Sequence, residues 1–165
     1  MDLDVVLEDD RWKAIGLEVL SQRAVAAVLA HQRIADGAEL AILAADDARI
    51  ATLNEAHRGK AQPTNVLSWP AQELQPEAAG GEPFAAEADP DGSIPLGDIA
   101  LAYETCAREA EEGGIPFGDH LTHLIVHGTM HLLGYDHIND ADAELMEARE
   151  AEVLAKLGLA NPYEA

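Results

Sequence analysis

The sequence lacks the features that would place it among disulfide-rich, secreted or membrane-spanning proteins. Its 165 residues contain one cysteine, Cys106, so an internal disulfide cannot form, and a reducing cytoplasm suits this composition. No apolar run approaches the roughly 20 residues of a membrane span, and the first residues lack the basic and apolar pattern of a secretory signal. We therefore expect a cytoplasmic protein with no membrane partner.

Positive charge is also scarce. Lysine and arginine together number 10 against 31 aspartates and glutamates, which gives a formal net charge of −21. Such a surface repels a phosphate backbone, and this argues against a broad nucleic-acid footprint and against a DNA partner. Any contact with RNA has to be focused on a few cations and a bound metal.

Histidine, in contrast, is concentrated in one stretch. Three of the seven histidines lie within residues 127–137, in the pattern H-x-x-x-H-x-x-G-x-x-H. The surrounding apolar residues recur with helical spacing, so His127 and His131 lie one turn apart on one face of a predicted helix. Gly134 is expected to end this helix and let the chain turn His137 back toward the same point. Three imidazoles with an open fourth position are typical of catalytic zinc, so we predict one Zn²⁺ per chain at His127, His131 and His137.

Two other histidines, His120 and His123, compete for the metal. His123, His127 and His131 form a straight row on the helix, but its end Cα atoms are about 12 Å apart. An imidazole reaches a metal only about 6 Å from its own Cα, so this row cannot supply all three ligands. A single histidine on an apolar helix face is most often held by an ordinary hydrogen bond, and we expect His123 to support the site from behind.

The pattern of apolar residues predicts one α+β domain over residues 1–165. We expect a small mixed sheet of about four strands covered by helices, with one central helix that carries the metal-binding histidines. Pro63 and Pro70 bracket a short strand, which places it near a sheet edge. Asp140 is expected to cap the last helix. Residues 71–94 are rich in Pro, Gly, Ala and Glu without periodicity, and we predict a flexible loop or insertion there.

The same histidine spacing also marks the metzincin proteases, which place a glutamate directly after the first histidine as general base. Here that position is Gly128. Loss of a general base typically costs 10²–10⁴-fold in rate. A zinc metallohydrolase of peptides or small molecules therefore stays open as the alternative, but without its catalytic glutamate.

The histidine stretch, His-Gly-x-x-His-Leu-x-Gly-Tyr-Asp-His, resembles the signature of the YbeY family of bacterial rRNA-maturation endoribonucleases. Other segments are also similar to family blocks: Arg58-Gly59-Lys60, residues 63–68, Leu96-Gly97-Asp98-Ile99 and Asn161-Pro162-Tyr163. The departures, His57, Ala61, Trp69 and the length of the 71–94 segment, bear on the substrate groove and not on the three histidines.

The resemblance implies a single-strand-specific endoribonuclease that acts in 16S rRNA 3′-end maturation and ribosome quality control, with the small ribosomal subunit as partner. A zinc-activated water would then hydrolyse the phosphodiester bond. A non-catalytic ribosome-assembly factor with a structural metal is the alternative from a different class. Closed structural sites usually take four protein ligands, so an open fourth position favours an enzyme.

Phosphodiester cleavage needs a cation near the developing charge, and arginine suits this because its planar fork bonds two oxygens. Arg58 is our candidate for catalysis and substrate binding, and the family pattern agrees; the alternative is an arginine favouring a helix C-terminus. Lys60 is a second candidate for a phosphate contact, or else a solvated loop lysine. Asp136 is a candidate for orienting an imidazole or the metal's water, or else an ordinary turn carboxylate.

Overall fold

The structure, a computed structural model, describes residues 1–59, 62 and 64–164, with the side chains of His57 and Arg58 outside that description. A 3-10 helix at Asp10–Ile15 precedes the first α-helix, and Gly16 separates the two. The strands are β1 (Asp2–Leu7), β2 (Ala38–Ala45), β3 (Val66–Pro70) and β4 (Ile94–Ala102). The helices are α1 (Leu17–His31), α2 (Asp47–Arg58), α3 (Tyr103–Gly113), α4 (Phe117–Leu132) and α5 (Asp140–Lys156).

The four strands form one mixed sheet in the order β1-β2-β4-β3. β1, β2 and β4 run parallel, and β3 pairs antiparallel with β4 at the edge of the sheet. The parallel pair β1 and β2 is connected through α1, because parallel neighbours need a crossover. The predicted mixed sheet and the edge position of the proline-bracketed strand are both confirmed.

Helices cover both faces of the sheet, and β4 shows how the faces divide. Successive side chains of a strand point to opposite faces. Ile99 and Leu101 belong to the large core that is shared with α1, α4 and α5. Ala100 and Ala102 pack instead in a smaller cluster with Ile50 of α2. The small side chains on this second face let α2 lie close to the sheet.

The central helix is α4, as predicted. Seven of its residues are buried hydrophobics or a buried threonine, and it contacts α1, α3, α5, β3 and β4. The buried residues recur at helical spacing: Leu121, Leu124, Ile125, Val126, Thr129, Met130 and Leu132. Such a helix is held by packing on nearly all sides. Side chains on its remaining exposed stripe are therefore placed on a rigid support.

Side chains cap the starts of α2 and α5, and the cap of α5 corrects a prediction. The Asp46 side chain accepts a hydrogen bond from the Arg49 backbone N–H at 2.8 Å, as expected of an N-cap. For α5 the expected cap, Asp140, is wrong. Asn139 has the extended backbone of a cap and its side chain accepts from the Asp142 N–H at 2.9 Å, so Asp140 is the first helical residue.

Residues 71–93 contain no helix or strand, as their composition predicts, and β4 already begins at Ile94. The segment nevertheless contacts the domain. Leu74 is only 5% exposed. The Gln72 side chain donates to the carbonyl oxygen of Pro95 at 2.9 Å, and the Phe84 N–H donates to the carbonyl oxygen of Leu74 at 2.8 Å. The flexibility of this segment stays a prediction, and these contacts argue against it around Leu74.

Replacing Leu74 with alanine tests whether the segment is packed or mobile. If it is packed, loss of the buried side chain should lower the free energy of unfolding by about 2 kcal/mol or more. Phe84→Ala is the matched control, because Phe84 lies in the same segment and is 54% exposed. Urea unfolding of both variants gives the answer, and an unchanged Leu74→Ala midpoint would favour a mobile loop.

Within the described residues, none of the helices combines the length and the apolar composition needed to cross a bilayer.

Candidate metal centre

The three predicted histidine ligands converge at the end of α4. The rings of His127 and His131 lie one turn apart with centroids 4.5 Å from each other. His137 follows the turn after α4, and its ring centroid is 5.5 Å from that of His127 and 5.1 Å from that of His131. Each histidine offers one ring nitrogen, and the three nitrogens lie within 4.8 Å of one another. The geometry can hold one metal ion, and the ligand assignment itself stays a prediction.

The turn that returns His137 depends on a glycine. Gly134 has a φ of 101°, a conformation that side chains rarely adopt. A Cβ atom at this position would also lie 2.6 Å from the carbonyl oxygen of Leu74. The following Tyr135 N–H donates to the carbonyl oxygen of Met130 at 3.2 Å, which folds the turn back onto the helix. Gly134 therefore ends the helix as the spacing predicted.

The hydrogen bonds of two rings fix where their protons are. Nδ1 of His131 lies 2.9 Å from the carbonyl oxygen of Tyr135, which can only accept a hydrogen bond. Nδ1 of His127 lies 3.0 Å from the carboxylate of Glu150. In the neutral ring both protons therefore sit on Nδ1, and both Nε2 atoms carry a free lone pair. These two Nε2 atoms face each other at 3.1 Å.

Two facing lone pairs cannot form a hydrogen bond, so this arrangement suits a cation between or beside them. Imidazole nitrogens are good ligands for zinc and for similar divalent ions. Burial, and after it the neighbouring His127, lowers the pKa of His131 from 6.5 to about 4. His131 thus stays neutral at physiological pH, which is the form that a metal requires.

Lowering the pH should destabilise the metal-free protein between about pH 6.5 and 4. In this window an unfolded His131 takes up a proton that the folded, buried ring does not, so stability falls with pH. The effect is at most about 3 kcal/mol. Unfolding of chelator-treated wild type and His131→Ala across this range measures it, because the variant lacks the titrating ring. Identical slopes for both proteins would contradict the prediction.

Asp136 lies beside the three histidines and shapes the turn between them. One of its carboxylate oxygens accepts from the backbone N–H of His137 at 2.8 Å and lies 4.0 Å from Nδ1 of His131. The other oxygen accepts from the side chain of Gln75 at 3.0 Å. These contacts fit an orienting role for Asp136, and its part in catalysis stays a prediction. They also tie the 71–93 segment to the turn that carries His137.

A cleft of about 380 Å³ opens over the three histidines. The edge strand β3 forms one wall, and the turn after α4 forms the other. Apart from the three histidines, the lining mixes polar and apolar side chains and, among the described residues, contains no lysine or arginine: Thr64, Asn65, Val66, Leu67, Ser68, Pro70, Gln75, Tyr135 and Asp136. Arg58 is the last residue of α2, but its side chain lies outside the described residues, as does all of Lys60. Their predicted phosphate contacts therefore stay predictions.

Gly128 lies where α4 packs closely against the sheet at the site. A Cβ atom here would lie 3.2 Å from both the side chain of Ile99 and the hydroxyl oxygen of Ser68. That hydroxyl donates to the Gly128 carbonyl oxygen at 3.3 Å. The wall leaves little room for a longer side chain, so the glutamate that the metzincin pattern places at this position could not be accommodated without movement of the wall.

The structure adds residues that sequence reasoning missed. Glu150 of α5 is fully buried behind His127, and the Tyr163 hydroxyl donates to its carboxylate at 2.8 Å. Burial raises the pKa of this carboxyl group, but hydrogen bonds with His123 and His127 outweigh it and hold the pKa of Glu150 at about 2. A sequence signal existed, since Glu150 interrupts the apolar stripe formed by Met146, Val153 and Leu154. His123 packs behind the site, as expected, and binds Glu150 at 3.2 Å.

The fold and the site together define a mixed-sheet α+β protein whose three converging histidines can hold one metal ion at an open cleft. The chain belongs to the Endoribonuclease YbeY family, whose model matches residues 6–158. The family resemblance predicted from the sequence motifs is thereby confirmed.

Relatives match over nearly the whole chain. The Endoribonuclease YbeY of Ruegeria pomeroyi is 53% identical over 164 residues, which cover 99% of this chain and 98% of the relative. That of Paracoccus denitrificans is 50% identical over 161 residues, covering 98% and 89%. A solution structure of a Thermotoga maritima protein covers 99% of both chains with a TM-score of 0.56 and 21% identity, which supports the same fold.

Proposed function

We propose that this chain is a zinc-dependent endoribonuclease that cleaves single-stranded RNA in 16S rRNA 3′-end maturation and in ribosome quality control, in the cytoplasm and with the small ribosomal subunit as its partner. Membership of the Endoribonuclease YbeY family supports the endoribonuclease activity and RNA as substrate. The observation that carries the metal dependence is the convergence of one ring nitrogen from each of His127, His131 and His137 within 4.8 Å.

A zinc ion at this site would supply a Lewis acid for a phosphoryl oxygen and would acidify a water molecule. The chain's own residues prepare the place where this happens. His127 and His131 are held with Nε2 toward the cleft by their Nδ1 hydrogen bonds. Asp136 fixes the backbone of the turn at His137. The enzyme therefore needs little rearrangement of these groups before reaction, which is how preorganised sites lower barriers.

The acidic composition limits the kinds of contact that can bind an RNA substrate. A net charge of −21 repels RNA at long range. Binding must then come from short-range contacts in the cleft, from the metal and from the cations proposed near it, Arg58 and Lys60. The cleft lining offers neutral hydrogen-bonding groups at Asn65, Ser68 and Gln75, which suit the bases and sugars of an unpaired strand. A duplex exposes mostly phosphate to such a cleft, so we expect a preference for single strands.

The decisive experiment is to incubate the zinc-loaded protein with single-stranded RNA, duplex RNA and casein. We expect cleavage of the single strand, inhibition by a chelator and recovery when zinc is returned. Cleavage of casein alone would favour the peptide metallohydrolase. No cleavage of any substrate, with tight binding to small ribosomal subunits, would favour the non-catalytic assembly factor.

The ribosomal role needs a separate comparison. The zinc-loaded protein is incubated with small subunits that carry a 3′-extended 16S rRNA and, separately, with an unrelated single-stranded RNA as long as the extension. The two cleavage rates are then compared. If the proposed role is right, the extension is trimmed faster than the unrelated strand. Equal rates would limit the proposal to a general single-strand endoribonuclease.

A further inference from the structure

A carboxylate lies buried behind the metal centre. Glu150 is on the inner face of α5, and its exposed fraction is 0%. Burying a carboxylate is costly unless hydrogen bonds replace its lost hydration. Among the described residues its two oxygens have three partners, His123 and His127 of α4 and Tyr163 of the C-terminal tail.

The two oxygens of Glu150 have separate tasks. Oε2 accepts the Nδ1 proton of His127 at 3.0 Å, which leaves Nε2 of that ring free and fixes the ring's orientation. Oε1 accepts the hydroxyl proton of Tyr163 at 2.8 Å and also lies 3.2 Å from Nε2 of His123. One oxygen thus faces the proposed ligand, and the other is anchored away from the cleft.

The C-terminal tail is itself held in place. The Tyr163 N–H donates to the side chain of Asn161 at 2.9 Å, which forms a turn. The ring of Tyr163 meets that of His123 edge-to-face, with centroids 5.5 Å apart. The hydroxyl oxygen of Tyr163 also lies 3.1 Å from Nε2 of His123. The tail therefore closes over α4 and α5 and places a phenol on the far oxygen of Glu150.

We propose that Glu150 is a positioning residue of the metal centre and that Tyr163, by anchoring Glu150, makes the C-terminal tail part of that centre. The proposal rests on the proposed metal role of His127. Carboxylates that accept the second ring proton of a metal-bound histidine fix its tautomer and raise its basicity, and their loss typically weakens metal binding by 10–100-fold. A hydrophobic side chain could fill the space between Met146 and Val153 without the free-energy cost of burying a carboxylate. Packing alone therefore does not explain a glutamate here.

Zinc affinity, measured by calorimetry, tests the proposal without depending on RNA cleavage. Glu150→Gln keeps the size of the side chain, so we expect a folded protein whose zinc affinity falls by about 10–100-fold. Tyr163→Phe removes only the hydroxyl, and we expect a smaller loss in the same direction. Glu144→Gln is the matched control, because Glu144 lies on the same helix but is exposed, and its affinity should equal that of the wild type.

The outcomes separate this proposal from the function on which it rests. If the wild type binds no zinc, the proposed metal role fails and this inference fails with it. If the wild type binds zinc and Glu150→Gln binds it equally well, the positioning role is wrong while the metal role stands. Thermal unfolding without metal controls for folding. Should Glu150→Gln fail to fold, Tyr163→Phe decides the question, and wild-type affinity in that variant would overturn the role of the tail.

Discussion

Replacing His131 with alanine should abolish zinc binding and RNA cleavage together. His131 is central in the cluster, since its ring centroid lies 4.5 Å from that of His127 and 5.1 Å from that of His137. Its removal leaves two donors, one of them on the exposed turn, and a divalent ion loses a direct bond rather than a supporting contact. The loss of activity should therefore exceed the 10–100-fold expected of a residue that only orients a ligand.

Metal content, zinc affinity and cleavage rate are measured on the same preparation of His131→Ala. Zinc should raise the melting temperature of the wild type but not of the variant, because only a protein that binds the ion is stabilised by it. His120→Ala is the control, since His120 lies on the same helix but pairs with Glu109 at 3.0 Å. A His131→Ala protein that keeps its zinc would exclude this residue as a ligand.

Replacing Arg58 with alanine should reduce RNA cleavage without affecting folding or metal binding. We expect nearly unchanged zinc content and melting temperature, because the proposed role of Arg58 lies in contact with the RNA phosphate rather than with the protein core. Turnover should fall on the order of 10²-fold, as when a group that stabilises developing charge is removed. Arg58→Lys should recover only part of the rate, since a point charge cannot bond two oxygens as the planar fork does.

Arg49→Ala is the matched control for Arg58→Ala. Arg49 lies on the same helix, is exposed and pairs with Glu8 at 3.5 Å. Its loss should change neither zinc content nor turnover. Wild-type turnover in Arg58→Ala would exclude the phosphate role of Arg58 and favour the alternative, an arginine that only stabilises the C-terminus of its helix. Another residue would then have to supply the positive charge for the RNA phosphate.

Much of the fold could be predicted because local patterns and tertiary packing agree. The apolar pattern predicted a small mixed sheet covered by helices, and the helical spacing around the histidines predicted α4 at its centre. Strand order could not be predicted, since the pairing of β2 with β4 joins segments far apart in sequence. The cap of α5 was misplaced by one residue because Asn139 and Asp140 are both good capping residues.

In the site, too, the residues that are close in sequence could be predicted, and those brought together by the tertiary fold could not. The convergence of His127, His131 and His137 follows from helix geometry and one glycine, all within eleven residues of sequence. Glu150 was missed because a glutamate in a helix is by default exposed to solvent. Its place on the apolar stripe of α5 was the one local signal of burial, because its partners lie on α4 and on the C-terminal tail at Tyr163. The contact of Leu74 with Gly134 was missed for the same reason.

Every role proposed for this protein depends on one divalent metal ion held by His127, His131 and His137. A crystal structure of the zinc-loaded protein, with anomalous data at the zinc edge, tests it most directly. We expect a single zinc peak bonded to three ring nitrogens at about 2.0–2.1 Å, with no fourth protein ligand. A peak bonded to His120 or His123 in place of His137, or a fourth ligand from the protein that closes the site, would contradict it.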